Sequence, residues 1–332
     1  MARLILHIGL HKTGTTTIQD MFHANRRLLA EHGLIYPKLG RHTGHHGLFT
    51  DWLVLPAAYR LPGGGVVGLR KLAEAHREQD ATLFLSSEEI SRAGGPGGVV
   101  DLAMVREIFA GFEITVLCVL RVQWQFLQSV YLELARNRMP PPPPILLQQA
   151  LETGIVDGLW CDFTGLYDRL CAVFSPADIR LLDFEALRTG PGGLVGGLLR
   201  QAGLALDANE LSPVNNSYSN ASPRALPVWA RLAIAGGQSA TGDLLAPVET
   251  AFDLEYGTGR PSSLFTRAEI ARITDHFAPR NTTLAARAGT PVLQTPMPDA
   301  DTVHREDMGA AFWLRAARRI WMAGSCDARC LA

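Results

Sequence analysis

The chain of 332 residues has no surplus of either charge: 31 lysines and arginines stand against 32 aspartates and glutamates, a formal net charge of −1. Proteins that coat a nucleic-acid backbone carry a basic excess, so no nucleic-acid partner is expected. Also missing is an uninterrupted apolar run of the ~18 residues that a membrane-spanning helix requires, so no membrane span is expected. The sequence opens on an apolar segment, without the basic and apolar regions of a signal peptide, and a cytoplasmic location is expected. Cysteine is scarce, with five in the chain. Cys118, Cys161 and Cys171 lie in apolar or amphipathic surroundings and read as small core residues. Cys326 and Cys330 stand close to the end with no matching ligands and read as exposed thiols, a weak metal signal. With 47% hydrophobic residues, the composition is that of a soluble globular protein. It is long enough for one large α/β domain with additions, or for two modest domains.

What the sequence does contain is concentrated at its start. The apolar run Leu4-Ile5-Leu6-His7-Ile8 leads directly into Gly9-Leu10-His11-Lys12-Thr13-Gly14-Thr15-Thr16-Thr17. A buried strand that breaks at glycine and re-enters a helix on hydroxyl residues directs unpaired backbone N–H groups, a positive helix end and one lysine at a single point. That is an anion cradle. The spacing nearly matches the nucleotide-binding loop G-x4-G-K-[ST], through Gly9, Gly14 and Thr16, but Thr15 occupies the lysine position and the lysine stands three residues earlier, at Lys12.

A second apolar run, Ile114-Thr115-Val116-Leu117-Cys118-Val119-Leu120, reads as a central parallel strand. It runs into Arg121, and Ser129 follows eight residues later within a helical pattern. An arginine offers a planar fork of donors to phosphate oxygens, and a serine hydroxyl adds a neutral donor beside it.

Together these segments resemble the sulfotransferases that use 3′-phosphoadenosine-5′-phosphosulfate (PAPS), and the bacterial branch of that family in particular. The resemblance covers about residues 1–203 through its motifs. It extends more weakly through Asn215-Asn216-Ser217-Tyr218-Ser219 and Arg224 to a closing helix at 270–284. It implies an α/β, three-layer P-loop-type fold with a central, mostly parallel sheet flanked by helices and with C-terminal helical additions. His11, Lys12, Thr13, Gly14, Thr15, Thr16 and Thr17 would bind the 5′-phosphosulfate, and Arg121 with Ser129 the 3′-phosphate. PAPS is the implied co-substrate, no metal is called for, and the acceptor is a hydroxyl or amine of a small molecule or carbohydrate. Lys12 would stabilise charge growing on the leaving phosphate. The sequence departs from the animal cytosolic branch in lacking R-K-G-x-x-G near its C-terminus.

A third apolar segment, Thr82-Leu83-Phe84-Leu85, ends in Ser86-Ser87-Glu88-Glu89. Transfer to an acceptor needs a group that takes the acceptor's proton, and in the branch this chain resembles a Ser-Ser-Glu after a strand supplies it, which points to Glu88. Ser86 and Glu89 also have the spacing of a capping box, with Glu89 closing a helix end. Histidine is the rival base, from His11 or from His42, His45 and His46, which are read first as solvated loop and second as part of the acceptor pocket. They lack a carboxylate or cysteine at metal-ligand spacing.

Strand-like and helix-like segments alternate along the chain, as in a parallel sheet. Helices are expected over 16–30, 99–111, 123–138, 162–174 and 270–284, short strands at 33–37 and 179–187, and an amphipathic helix over 303–322. Pro140 to Pro144 are expected to be extended throughout. The expected division is a sulfotransferase domain over 1–295, helical from about 205, and a C-terminal helix and tail over 296–332. Two alternatives remain open: a Mg²⁺-dependent P-loop kinase or nucleotide hydrolase, and a catalytically inactive nucleotide-binding module.

Overall fold

The computed structural model describes residues 2–214, 223–236 and 244–330, the side chains of 324–330 excepted. The Asn215–Ser219 segment and the side chains of Cys326 and Cys330 therefore lie outside the described residues. The strands, in chain order, are β1 Arg3–His7, β2 Leu34–Ile35, β3 Thr82–Ser86, β4 Glu113–Leu120, β5 Ile155–Val156, β6 Leu159–Trp160, β7 Ile179–Asp183, β8 Ser262–Ser263 and β9 Val303–His304. The helices are α1 Thr15–Ala24, α2 Arg26–Glu31, α3 Gly65–His76, α4 Leu102–Ile108, α5 Gln123–Asn137, α6 Pro143–Thr153, α7 Phe163–Cys171, α8 Phe184–Thr189, α9 Gly193–Gln201, α10 Ala225–Ile234, α11 Leu245–Tyr256, α12 Arg267–Ala288 and α13 Ala310–Cys330.

The chain divides into two compact units. The first comprises Met1–Val122, Thr153–Asn220 and Phe277–Gln294. Its centre is a five-stranded sheet in the order β2-β3-β1-β4-β7, in which every pairing is parallel. Parallel strands of this kind are covered on both faces. Along β1 the successive residues Leu4, Ile5 and Leu6 are all buried although they point to opposite faces. One face, through Ile5, Phe84, Leu117 and Val119, forms a core with Ile18 and Phe22 of α1, Leu29 of α2, Phe184 of α8 and Leu198 of α9. The chain is thus an α/β protein with a parallel sheet between helices.

In this strand order the connection leaving β1 runs toward β2 while the connection leaving β3 runs toward β4. Neighbouring strands whose connections depart in opposite directions leave a crevice beyond their carboxyl ends, where open α/β sheets bind ligands. The register pairs His7 with Ser86 and His7 with Leu117. The segments following His7, Ser86 and Leu120 therefore emerge side by side at that end of the sheet.

Several expectations change in detail. The strand expected over 179–187 ends at Asp183, whose carboxylate caps α8 by accepting from the Glu185 N–H at 2.8 Å. The helix expected over 16–30 is two helices, because Asn25 interrupts it: the Asn25 amide nitrogen donates to the Met21 carbonyl (2.9 Å) and its amide oxygen accepts from the Ser212 N–H (2.8 Å). The helix expected over 99–111 shortens to α4, begun by the Asp101 carboxylate, which accepts from the Met104 N–H at 2.9 Å. The proline run is not extended throughout, since Pro143 and Pro144 form the first turn of α6. A proline in a first turn forfeits only an N–H that has no helical partner in any case.

The second unit comprises Gln123–Glu152, Ala221–His276 and Thr295–Ala332. Helices α10, α11 and α13 pack Leu226, Ala230, Val248, Phe252, Phe312 and Ala316 into a core of their own. The segment expected to be helical from 303 starts instead with β9, which pairs with β8, and the helix opens at Ala310. Among the described residues no helix is long and apolar enough to cross a membrane.

Candidate active site

The anion cradle begins where β1 ends. Gly9 has φ 32°, Lys12 φ 67° and Gly14 φ 77°. A left-handed conformation is inexpensive for glycine, but for a lysine it costs on the order of 1–2 kcal/mol, and such strain persists only where the surroundings impose it. Here the Thr13 hydroxyl donates to the Leu10 carbonyl at 2.7 Å and the Thr15 hydroxyl to the same oxygen at 3.4 Å. Arg121 Nη1 donates to the Lys12 carbonyl at 3.3 Å. The loop is thus pinned from within and from the end of β4.

Gly14 precedes α1 and brings no side-chain cap to it. The first-turn N–H groups of Thr15, Thr16 and Thr17 have no partner within the helix, and they carry the positive end of its dipole. Thr13 and Thr15 are buried, Lys12 and Thr17 are half-buried and Thr16 is exposed. A Cβ on Gly14 would meet the Leu194 side chain at 2.5 Å, so packing as well as φ requires glycine here.

Arg121 lies with its guanidinium carbon 4.9 Å from the centre of the Phe184 ring. Burial lowers its pKa from the ordinary arginine value, opposed by Glu185. The sequence pointed to Arg121 as a phosphate ligand; in the structure it also donates to the backbone of the lysine loop. Ser129 is buried on α5, in the second unit. Arg224 also belongs to that unit, where it pairs with Asp253 and lies 5.2 Å from the centre of the Phe252 ring.

Beside the loop, the segment after β3 carries two carboxylates with separate partners. Glu88 Oε2 accepts from Gln19 Nε2 at 3.0 Å and lies 3.9 Å from His46 Nδ1. Burial pushes the Glu88 pKa up, but His46, His11, a backbone hydrogen bond and the Gln19 amide together outweigh it and hold the net value below that of an ordinary glutamate. Glu89 pairs with Arg92 and lies 3.8 Å from His11 Nε2, an enclosed nitrogen with no hydrogen-bond partner among the described residues. Burial lowers the His11 pKa, against the pull of Glu88 and Glu89. The capping-box alternative does not form: the short 3-10 turn Glu88–Ser91 follows Ser87 without a side-chain cap, and the Ser86 hydroxyl bonds His7 Nδ1 at 2.9 Å.

The reading of the histidine trio as solvated loop is corrected. His45 and His46 are buried, at 2% and 7% exposure. His45 Nδ1 accepts from the Ser86 N–H at 2.9 Å, so its Nε2 carries the proton and donates to the Pro37 carbonyl at 2.8 Å. His46 Nδ1 is 2.9 Å from the Ser87 hydroxyl. His42 is half-buried, its ring 4.3 Å from that of Tyr59. The loop is held against β3 because the His45 N–H donates to the Ser86 carbonyl at 2.8 Å. Among the described residues no group of three or more histidine, cysteine or acidic side chains is placed to hold a metal ion.

Two participants had not been singled out from the sequence, His7 and Gln19, and Ser86 had been read only as a helix cap. Each carried a signal nonetheless. A histidine within an apolar strand, and a glutamine on the α1 face shared with Thr15, Ile18 and Phe22, are polar groups at core positions, and such groups are buried only with partners.

Burial, opposed by Glu88, pulls His7 down to about 4. Burial likewise pulls His45 down to about 4, opposed by its hydrogen bond to Pro37 and assisted by His46 and His23. Both are therefore neutral in the folded protein at neutral pH. In the unfolded chain a histidine protonates near its ordinary value of about 6.5, so between there and about 4 the unfolded state binds more protons. Stability present above about pH 6.5 is then lost as pH falls, by up to about 1.4 kcal/mol per pH unit for each group. Urea denaturation should show a clear loss of unfolding free energy from pH 7 to pH 5, and less of it in His7→Gln. A flat profile would contradict the neutral buried assignment.

The chain matches no protein-family profile. No curated protein matches it either. Among solved structures it is similar to a sulfotransferase from Alicyclobacillus acidocaldarius, over 88% of this chain and 97% of that one, at 14% identity and a TM-score of 0.47.

Proposed function

We propose that the protein is a PAPS-dependent sulfotransferase, moving a sulfuryl group to a hydroxyl or amine of a small-molecule or carbohydrate acceptor. The observation that carries this reading is the strained lysine loop: Lys12 is held left-handed one turn before an uncapped helix end, with Glu88 across the crevice beyond β3. PAPS supplies the activated sulfuryl group. Its charged groups fit the residues present, a cation and unpaired N–H groups at one point, with no long side chain at the Thr15 position to reach a γ-phosphate. Lys12 and the N–H groups of Thr13 to Thr17 hold the 5′-phosphosulfate, and Lys12 offsets the charge that gathers on the bridging oxygen as the S–O bond breaks. Arg121 fixes the loop through the Lys12 carbonyl and is assigned the 3′-phosphate. Glu88 takes the proton of the attacking acceptor; its lowered pKa keeps it ionised at neutral pH.

Calorimetry with 3′,5′-adenosine diphosphate, the product nucleotide, tests the binding half. Arg121→Ala should weaken binding by about 10- to 100-fold, the effect of losing one charged hydrogen-bonding group worth about 1.5–3 kcal/mol. Unchanged affinity would remove Arg121 from the site. A thermal-shift comparison distinguishes the reading from that of a kinase: stabilisation by 3′,5′-adenosine diphosphate is expected, and stabilisation by ATP with Mg²⁺ alone would overturn it.

A further inference from the structure

Gln19 lies on α1, at the start of its second turn, and is almost fully buried at 2% exposure. Its amide nitrogen faces acceptors on two residues of the β3 end: Glu88 Oε2 at 3.0 Å, and Ser86 through its hydroxyl at 3.3 Å and its carbonyl at 3.5 Å. Two acceptors suit the two hydrogens of an amide nitrogen, whereas the flipped amide would set its oxygen against a carboxylate. The side chain is confined from the other side by Gly44: a Cβ there would fall 2.6–2.7 Å from the Gln19 amide atoms. Ser86 meanwhile also bonds His7. His7 immediately precedes the lysine loop and Gln19 follows it, so both ends of the anion cradle converge on the segment that carries Glu88.

We propose that Gln19 is a positioning residue that couples the phosphate loop to the Glu88 carboxylate, so that the cradle and the proton acceptor are placed as one rigid piece. The proposal rests on the reading of the site as a sulfotransferase centre. Thr15 lies one helical turn before Gln19 on the same face of α1, about 6 Å along the axis. A shift of the helix end on binding an anion moves Gln19 with it, and Gln19 moves the carboxylate.

Two variants test this by different routes. Gln19→Met keeps the volume and removes the donor; Gly44→Ala leaves the amide in the chain and pushes it out of place. Both should bind 3′,5′-adenosine diphosphate within about threefold of the parent and lose about 10- to 100-fold in kcat, the cost of misplacing a reacting group by about an ångström. KM for the nucleotide should move little. The second readout does not depend on activity: NMR titration of ¹³C-carboxyl-labelled glutamate, with Glu88 assigned through Glu88→Gln. Glu88 is also faced by His7 from β1, His11 from the loop, His46, Tyr36 and Tyr59, all of which remain in each variant. Loss of the amide donor should therefore move the Glu88 midpoint upward in Gln19→Met, and the acid limb of kcat with it. An unchanged midpoint together with parent-like kcat would overturn the proposal. So would a lowered melting temperature with the midpoint unmoved, the signature of a packing role alone. Should the parent transfer no sulfuryl group, the reaction assignment fails, while the NMR titration still decides whether Gln19 controls Glu88.

Discussion

Lys12→Ala should reduce kcat for sulfuryl transfer by about 10²- to 10³-fold, the usual cost of removing one preorganised group aimed at charge that develops in a transition state. The loss belongs mainly in kcat because the negative charge on the bridging oxygen grows as the S–O bond breaks, so a cation there does more for the transition state than for bound PAPS. Affinity for 3′,5′-adenosine diphosphate should fall as well, by a smaller factor. The backbone adds a second and opposite expectation. At φ 67° position 12 suits glycine better than any other residue, so Lys12→Gly should unfold at a higher temperature, by on the order of 1 kcal/mol of relieved strain. A site whose key residue destabilises the fold is one where strain is retained for function. Steady-state kinetics and thermal melts on the two variants check both halves, and full activity in either would remove Lys12 from the chemistry.

Glu88→Gln is expected to leave nucleotide binding within about threefold and to lower kcat by about 10²- to 10⁴-fold, the range for loss of a general base. The amide is the same size and still offers an oxygen to Gln19, so the network around it should persist and the melting temperature should change little. The kcat profile sharpens the test. Because Glu88 is held below the ordinary glutamate range, a Glu88 base keeps the acid limb of kcat below that range as well. An acid limb above the glutamate range would instead report a histidine. In that outcome Glu88→Gln would retain turnover, and the proton acceptor would be His46, 3.9 Å from Glu88, or His11.

The sheet was legible because its strands are short apolar runs closed by glycine or by polar residues, and burial on both faces leaves such runs few other places to go. The lysine loop was legible for the same reason: Gly9 and Gly14 bracket it, and Thr15 starts a helix. The left-handed backbone of Lys12 was not, because it follows from hydrogen bonds to Leu10 and from Arg121, 109 residues away. Glu88 stood out as a carboxylate after a strand, but its partners did not: Gln19 is 69 positions distant in sequence and His46 lies in a segment rich in glycine that reads as exposed. The same limit explains the capping-box reading of Ser86 and Glu89. Their spacing permits it, yet Ser86 finds His7 across the sheet, 79 residues away. The break at Asn25 was hidden in the same manner, since the helix would continue but for Ser212.

The two polar residues on the buried side of α1 have a consequence for how that helix sits. Ile18 and Phe22 are held by packing, and the hydrophobic effect that buries them is non-directional. Thr15 and Gln19 differ: their hydrogen bonds to Leu10, Ser86 and Glu88 are directional and would be broken together if the helix turned about its own axis, leaving buried groups unsatisfied. The apolar pair therefore decides that α1 docks on the sheet, and the polar pair decides its azimuth, which in turn aims the N–H groups of its first turn.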